Sequence, residues 1–132
     1  MTTVEDYFKG LADINRLRII NLLLNGELCG CDIQYVIDSP QSNVSRHLTY
    51  LKRCDLVQDR REGYRVYYRL LDQNSREYTT LIAYLKGALT DKVFITDRKR
   101  LAKAIKEGAC SISEPKPGLV STRSGLQSNV RR

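Results

Sequence analysis

The chain has 132 residues, of which 42% are hydrophobic and 28% charged, and its net charge is +7 at pH 7. This composition is typical of one globular domain with at most a short tail, and the positive charge favours a polyanionic partner. A single histidine, no tryptophan and no glycine-rich loop argue against most hydrolases and nucleotide-binding enzymes. Without a long apolar run or a signal-peptide pattern, we expect a cytoplasmic protein whose four cysteines are thiols.

Hydrophobic periodicity predicts four short helices in the first half of the chain. The first spans residues 4–12, and the second begins after Asp13, whose carboxylate can cap it, and ends near residues 25–26. A third helix fits residues 32–37, and a fourth, which follows a Ser-Pro turn, fits residues 41–54.

The next segment has the pattern of a β-hairpin. Residues 56–60 and 65–71 are rich in strand-forming side chains, and Gly63 between them can adopt the positive φ of a tight turn. Two strands alone are marginal in water, so this hairpin must pack on the helices.

The rest of the chain is predicted to be helical and then disordered. Asn74 or Ser75 can cap a long helix, and a further helix is expected over residues 96–107. Residues 111–132 contain prolines, many serines and several basic residues, which predicts a disordered basic tail after a domain over residues 1–110. The apolar stripe of the long helix, together with the first helix, is expected to form a two-fold interface. That stripe comprises Tyr78, Leu81, Ile82, Leu85 and Leu89.

These elements predict a mainly α fold with a small β-hairpin, a homodimeric winged helix-turn-helix of order α-α-α-α-β-β-α. In such a module the helix after the turn enters the major groove and reads base edges with polar side chains. The candidates on that helix are Gln41, Ser42, Asn43, Ser45, Arg46 and His47. The candidates on the hairpin, for phosphate contacts, are Arg60, Arg61 and Arg65.

Each of these assignments has a plainer alternative. The arginines of the hairpin can be an ordinary solvated face. His47 can be structural instead of a DNA contact, and catalysis is disfavoured because the chain has no second histidine and no nearby nucleophile.

Two cysteines separated by one residue form the most informative chemical motif. Cys29 and Cys31 flank Gly30 just before the third helix. In extended backbone, residues i and i+2 lie on one side, so both sulfurs can converge on one soft ion. The start of a helix also favours the thiolate, which is the ligand form. The alternative is a pair of small buried thiols without a ligand.

Residues 5–90 resemble the arsenic-responsive ArsR/SmtB family of bacterial repressors. The motif Glu-Leu-Cys-Gly-Cys-Asp at residues 27–32 is part of the resemblance. It also rests on residues 11–19, 33, 41–48, 51–52, 55–57, 60–63, 66–68 and 70. The resemblance implies a homodimer that binds operator DNA without ligand and is released when a metal or metalloid binds. In the arsenic branch of this family, the two cysteines of this motif bind trivalent arsenic or antimony.

The third ligand is where this chain departs from the family. Many arsenic repressors have a third cysteine at the position that Gln34 occupies here. Trivalent arsenic is best held by three thiolates, so we take Cys110 as the candidate third ligand, with water or a small thiol as the alternative. Cys54 is expected to be a semi-buried structural residue. The zinc branch uses carboxylates and histidines on its last helix, and the absence of histidine there disfavours zinc and nickel.

We therefore predict a repressor that needs no cofactor to bind double-stranded DNA. Its expected inducer is As(III) or Sb(III), or another thiophilic ion such as Cd(II), Pb(II) or Cu(I), bound at Cys29 and Cys31. The alternative is a redox-sensing repressor on the same fold, in which Cys29, Cys31 or Cys110 is oxidised. A thiol enzyme such as an arsenate reductase is disfavoured, because no oxyanion-binding loop flanks the cysteines.

Overall fold

The computed structural model describes residues 3–108. Within this range the chain forms six helices and three strands. In order they are α1 (Val4–Leu11), α2 (Ile14–Leu23), β1 (Leu28–Cys29), α3 (Gly30–Ile37), α4 (Gln41–Arg53), β2 (Val57–Glu62), β3 (Arg65–Leu70), α5 (Arg76–Ala88) and α6 (Lys92–Glu107). The predicted helices and hairpin are present, and the short strand β1 is an addition to the predicted order. Cys110 and the proposed tail over residues 111–132 lie outside the described residues.

Side-chain caps fix the beginnings of three helices. Thr3 and Asp6 form a reciprocal capping box at α1, in which each side chain accepts a hydrogen bond from the other's backbone N–H. Asp13 accepts from two backbone N–H groups of α2, at 2.8 and 3.2 Å. Ser75 accepts from the backbone N–H of Tyr78 at 3.2 Å. The predicted caps at Asp13 and Ser75 are therefore confirmed.

The three strands form one antiparallel sheet in the order β1–β3–β2. Gly63 has φ 65° in the turn between β2 and β3, as the hairpin pattern predicts. In β1, Leu28 is opposite Tyr68 and Cys29 is opposite Tyr67. This pairing attaches the segment before α3 directly to the hairpin, which we call the wing.

The core lies between α2, α3, α4 and the start of β2. Gly10 of α1 makes a close approach there, because a Cβ atom at this position would lie 2.7 Å from Leu56 Cδ1 and 3.1 Å from Cys54 Cβ. The most deeply buried apolar side chains are Ile19, Ile20, Leu22, Ile33, Val36, Leu51 and Leu56. This packing fixes the position of α4 relative to the rest of the domain.

A buried ion pair attaches α6 to α2. The carboxylate of Asp97, which is 2% exposed, accepts hydrogen bonds from Arg18 Nε at 2.7 Å and Nη2 at 3.0 Å. The amide of Asn21 donates to the carbonyl of Phe94 at 3.1 Å. The helix begins at Lys92, earlier than the sequence pattern predicts. No helix within residues 3–108 combines the length and the apolar character needed to cross a bilayer.

The predicted interface stripe of α5 is wrong for three of its five residues. Tyr78, Leu85 and Leu89 are at most 6% exposed and pack into the chain's own core. Tyr78 contacts the ring of Tyr7 on α1 and donates a hydrogen bond to the Leu56 carbonyl, contacts that the helical period alone does not reveal. The large apolar side chains that α1 and α5 leave exposed are Val4, Phe8 and Tyr84.

Candidate functional site

The two cysteines of the motif lie at the junction of β1 and α3. Cys29 is the last residue of β1 and the N-cap of α3, with extended backbone at φ −67° and ψ 143°. Cys31 follows in the first turn of the helix, and the two Sγ atoms lie 2.8 Å apart. Gly30 lies against the wing, since a Cβ atom there would be 3.1 Å from Tyr68 Cε2. The sulfurs therefore converge as the spacing predicts.

An open pocket of about 310 Å³ lies beside the sulfurs. Both cysteines and Gln34 form one side of it, and Gln41 and Ser45 of α4 form another. Tyr64, Arg65 and Tyr68 of the wing form a third side of the pocket. One space thus contains the two sulfurs together with side chains that the sequence predicts to contact DNA.

Gln34 occupies the position of the missing third cysteine and forms a hydrogen bond to the backbone. Gln34 donates a hydrogen bond from Nε2 to the carbonyl of Ser39, in the turn before α4. Among residues 3–108, no three Cys, His, Asp or Glu side chains are grouped closely enough to hold a metal ion. Any third protein ligand must therefore come from outside this part of the chain, from a partner subunit, or from a rearrangement of the site.

Cys54 lies elsewhere, at the C-cap of α4. It is buried, and this burial raises the pKa of its thiol. Its Sγ and Cβ pack against Gly10 of α1. These contacts support the structural assignment made from the sequence.

The first half of α4 presents polar side chains to solvent. Gln41, Ser42, Ser45 and Arg46 are exposed, and Arg46 donates a hydrogen bond to the side chain of Asn43. No side chain caps the start of this helix, which follows Pro40. The opposite face is buried through Val44, Leu48 and Leu51. This arrangement is the one that a helix needs to lie in the major groove while packed on its own domain.

His47 does not join this exposed group. Its imidazole is largely buried, with Nδ1 3.3 Å from Arg16 Nη1 and Nε2 3.9 Å from the carboxylate of Asp13. Arg16 in turn donates to the carbonyl of Gly10 at 2.7 Å and lies over the ring of Tyr50. These contacts hold α4 against the α1–α2 junction and favour the structural alternative for His47.

The three arginines of the wing have different surroundings. Arg60 forms two hydrogen bonds of 2.8 Å with the carboxylate of Glu27, and its guanidinium lies 4.5 Å from the ring centroid of Tyr67. Arg61 is exposed and forms no ion pair within residues 3–108. Arg65 is half-buried near the Tyr67 hydroxyl and lines the pocket. The sequence places Glu27 in the cysteine motif but does not identify it as the partner of Arg60, from which it is 33 residues away.

Residues 13–59 match the family model described as "Bacterial regulatory protein, arsR family". A cadmium resistance transcriptional regulatory protein CadC homolog of Staphylococcus aureus is 35% identical over 97 residues, which cover 73% of this chain and 71% of that protein. The chain belongs to the ArsR family. It is thereby related to transcriptional regulators and not to enzymes.

The chain is also similar to one further curated relative, over a shorter segment, and to a solved structure. The arsenic resistance transcriptional regulator ArsR2 of Pseudomonas putida is 42% identical over 71 residues, and the match spans 53% of this chain and 62% of that relative. A solution structure of a homodimeric winged helix-turn-helix DNA-binding domain, Mb0332 of Mycobacterium bovis, is 33% identical with a TM-score of 0.56, covering 64% of this chain and 76% of that one. The ArsR family and the winged-helix fold predicted from the sequence are both confirmed.

Proposed function

We propose that this member of the ArsR family is a homodimeric repressor that binds operator DNA and is released by a thiophilic ion at Cys29 and Cys31. The observation that carries the proposal is the shared pocket, which both cysteines line together with Gln41 and Ser45 of the exposed α4 face. A ligand on the sulfurs therefore meets the elements that contact DNA.

The DNA half of the proposal rests on α4 and the wing. An α4 helix in the major groove would bring its exposed polar face to base edges, and the helix start has N–H groups for a phosphate. The wing would add arginines along the backbone. One helix covers only a half-site, so a dimer would contact two half-sites about 34–36 Å apart. The proposed contacts are Gln41, Ser42, Asn43, Ser45, Arg46, Arg60, Arg61 and Arg65, with His47 as a supporting residue.

The ligand half rests on the two sulfurs. Thiolates are soft ligands and favour As(III), Sb(III), Cd(II) or Pb(II) over hard cations. The names of the two curated relatives refer to arsenic and cadmium resistance, which agrees with this group of ions. Cys110, outside the described residues, is proposed as the third ligand. Water or a small thiol is the alternative.

The release mechanism follows from the place of the two cysteines. Cys29 belongs to the wing sheet and Cys31 to α3, so one ion that binds both sulfurs fixes the angle between these elements. The turn that follows α3 leads directly into α4. A typical coupling of about 1–3 kcal/mol between two sites changes DNA affinity by about 5- to 150-fold.

The proposal is tested with the full chain and an operator selected from a random-sequence duplex library. Fluorescence anisotropy should show specific binding of the selected duplex. Sodium arsenite or antimonyl tartrate should then release it at concentrations at which zinc chloride does not. Failure to select any sequence would exclude the repressor, and release by none of these ions would exclude the inducer.

Redox sensing is the second candidate, favoured by the 2.8 Å contact between the two sulfurs. In this case hydrogen peroxide would oxidise two of the thiols of Cys29, Cys31 and Cys110 to a disulfide and be reduced to two water molecules. Operator release by peroxide without added metal, reversed by a dithiol reductant, would support it. Release by arsenite under fully reducing conditions would support the metalloid sensor instead.

A further inference from the structure

One row of residues runs across the wing sheet from the thiol site to an arginine. Cys29 of β1 is directly opposite Tyr67 of β3, and Tyr67 is directly opposite Arg60 of β2. Side chains of directly opposed residues share one face of a sheet. The guanidinium of Arg60 accordingly lies over the Tyr67 ring, 4.5 Å from its centroid.

Glu27 contacts Arg60 at the end of this row that is farthest from Cys29. It lies two residues before Cys29, and its two carboxylate oxygens accept hydrogen bonds of 2.8 Å from Arg60 Nε and Nη2. Such a two-point contact is the strongest geometry that an arginine forms with a carboxylate, and it is the same geometry that a phosphate would use. These hydrogen bonds from Glu27 raise the pKa of Arg60.

We propose that Glu27 competes with an operator phosphate for Arg60 and so couples the thiol site to the wing. The inference rests on the proposed function and names the residue through which it is regulated. On DNA, Arg60 leaves Glu27 for a phosphate. An ion bound at Cys29 holds the adjoining segment in place, keeps Glu27 against Arg60, and makes that exchange less favourable.

The chain contains a matched control for this role. Glu62 also approaches Arg60, at 3.6 Å from Nη1, but it belongs to β2 and is not attached to the thiol site. Glu27→Gln and Glu62→Gln remove the same charge from the surroundings of Arg60. Only Glu27→Gln removes a partner of Arg60 that also lies two residues before Cys29.

The test measures operator affinity with and without sodium arsenite, and takes the ratio of the two dissociation constants as the coupling. Glu27→Gln should tighten binding without arsenite by about two- to fivefold, the range expected for an exposed ion pair, and should lower the coupling by a similar factor. Glu62→Gln should keep the wild-type coupling. Circular dichroism confirms that both variants remain folded, as expected for exposed substitutions.

Arg60→Gln separates competition from a general charge effect. It should weaken operator binding and lower the slope of log affinity against log salt by about 0.9 for each lost phosphate contact. It should also lower the coupling as much as Glu27→Gln does, and the double variant should lower it no further. Wild-type coupling in Glu27→Gln, or equal changes in both glutamate variants, would overturn the proposal.

Failure of the proposed role of Glu27 can be distinguished from failure of the proposed function. If Cys29→Ser loses the arsenite response while Glu27→Gln keeps it, the proposed function stands and the coupling residue is wrong. If the wild type does not respond to arsenite, the proposed inducer fails. In that case unchanged arsenite-free affinity in Glu27→Gln would also overturn the competition.

Discussion

Cys29 and Tyr67 are directly opposite one another on β1 and β3, so one of the two candidate ligand residues is part of the wing's own sheet. Cys31 belongs to α3, and the turn after that helix leads into α4. The thiol pair therefore adjoins both parts of a winged helix that contact DNA. In the proposed function, signal transfer need not cross the domain, because the two cysteines and the proposed DNA contacts Gln41, Ser45 and Arg65 line one pocket.

Arg46→Ala should weaken operator binding by about 1–3 kcal/mol, because Arg46 is the exposed cation in the first half of α4. Lys99→Ala on the exposed side of α6 removes the same charge away from this face and should have little effect. Competition binding at fixed salt measures both variants. Equal losses would mean that net charge, and not the α4 contact, determines the affinity.

Arg61→Ala should reduce the salt dependence of operator binding. Each lost phosphate contact lowers the log–log slope by about 0.9, and a dimer loses two such contacts. The measurement is the operator dissociation constant over a series of potassium chloride concentrations. An unchanged slope would show that the tip of the wing does not contact the DNA backbone.

Phe8→Lys should shift the protein from dimer to monomer at micromolar concentration. Phe8 is 60% exposed on α1, and Val4 and Tyr84 are the other large apolar side chains that α1 and α5 leave exposed. Tyr64→Lys on the wing turn is the control, since Tyr64 is similarly exposed but lies beside the thiol pocket. Sedimentation equilibrium distinguishes the two. A Phe8→Lys variant that remains dimeric would place the interface elsewhere.

Asp97→Ala should lower the free energy of unfolding by about 3–5 kcal/mol, because it leaves the guanidinium of Arg18 without the carboxylate that it faces in a largely buried position. Asp91→Ala is the matched control at the N-cap of the same helix, since Asp91 is exposed and makes no side-chain capping bond. Urea unfolding measures both. Similar losses in the two variants would contradict the assigned role of the Arg18–Asp97 pair.

Tyr78 should make the fold sensitive to alkaline pH. Burial raises the pKa of Tyr78 to about 12, from 10 in an unfolded chain. Its contribution to stability is therefore complete below pH 10 and is lost as the pH rises toward 12. Tyr78→Phe should unfold with a weaker pH dependence in this range. At pH 7 the free energy of unfolding of this variant should fall by only about 0.5–1.5 kcal/mol. The Leu56 carbonyl loses the hydrogen bond from the Tyr78 hydroxyl but still accepts one from the backbone N–H of Leu71. An unchanged pH dependence in Tyr78→Phe would contradict this account.

Local signals were sufficient to predict most of the helices. Asp13 and Ser75 cap their helices as the sequence predicts, and Gly63 provides the positive φ of the hairpin turn. These features depend only on residues within one turn of each other. The start of α6 was predicted too late, because Phe94 packs into the core and this burial extends the helix back to Lys92.

Contacts between distant residues could not be predicted in the same way. β1 has only two residues, so no alternating pattern identifies it, and its pairing with β3 depends on how α3 packs. The Glu27–Arg60 pair joins residues 33 apart, and periodicity gives no information about such a partner. The convergence of Cys29 and Cys31 was predictable, because the two-residue spacing in extended backbone is itself a local property.

The two sulfurs are proposed to bind the inducer. A titration of the operator complex with sodium arsenite tests this, comparing the wild type with single Cys→Ser variants under reducing conditions. Cys29→Ser and Cys31→Ser should still bind the operator but lose arsenite release, because a hydroxyl is a hard, protonated ligand where a soft thiolate is needed. Cys54→Ser should behave as wild type. Cys110→Ser should shift the response to higher arsenite if Cys110 is the third ligand, and leave it unchanged if the site has two thiolates. Normal release from the Cys29→Ser/Cys31→Ser double variant would contradict the account.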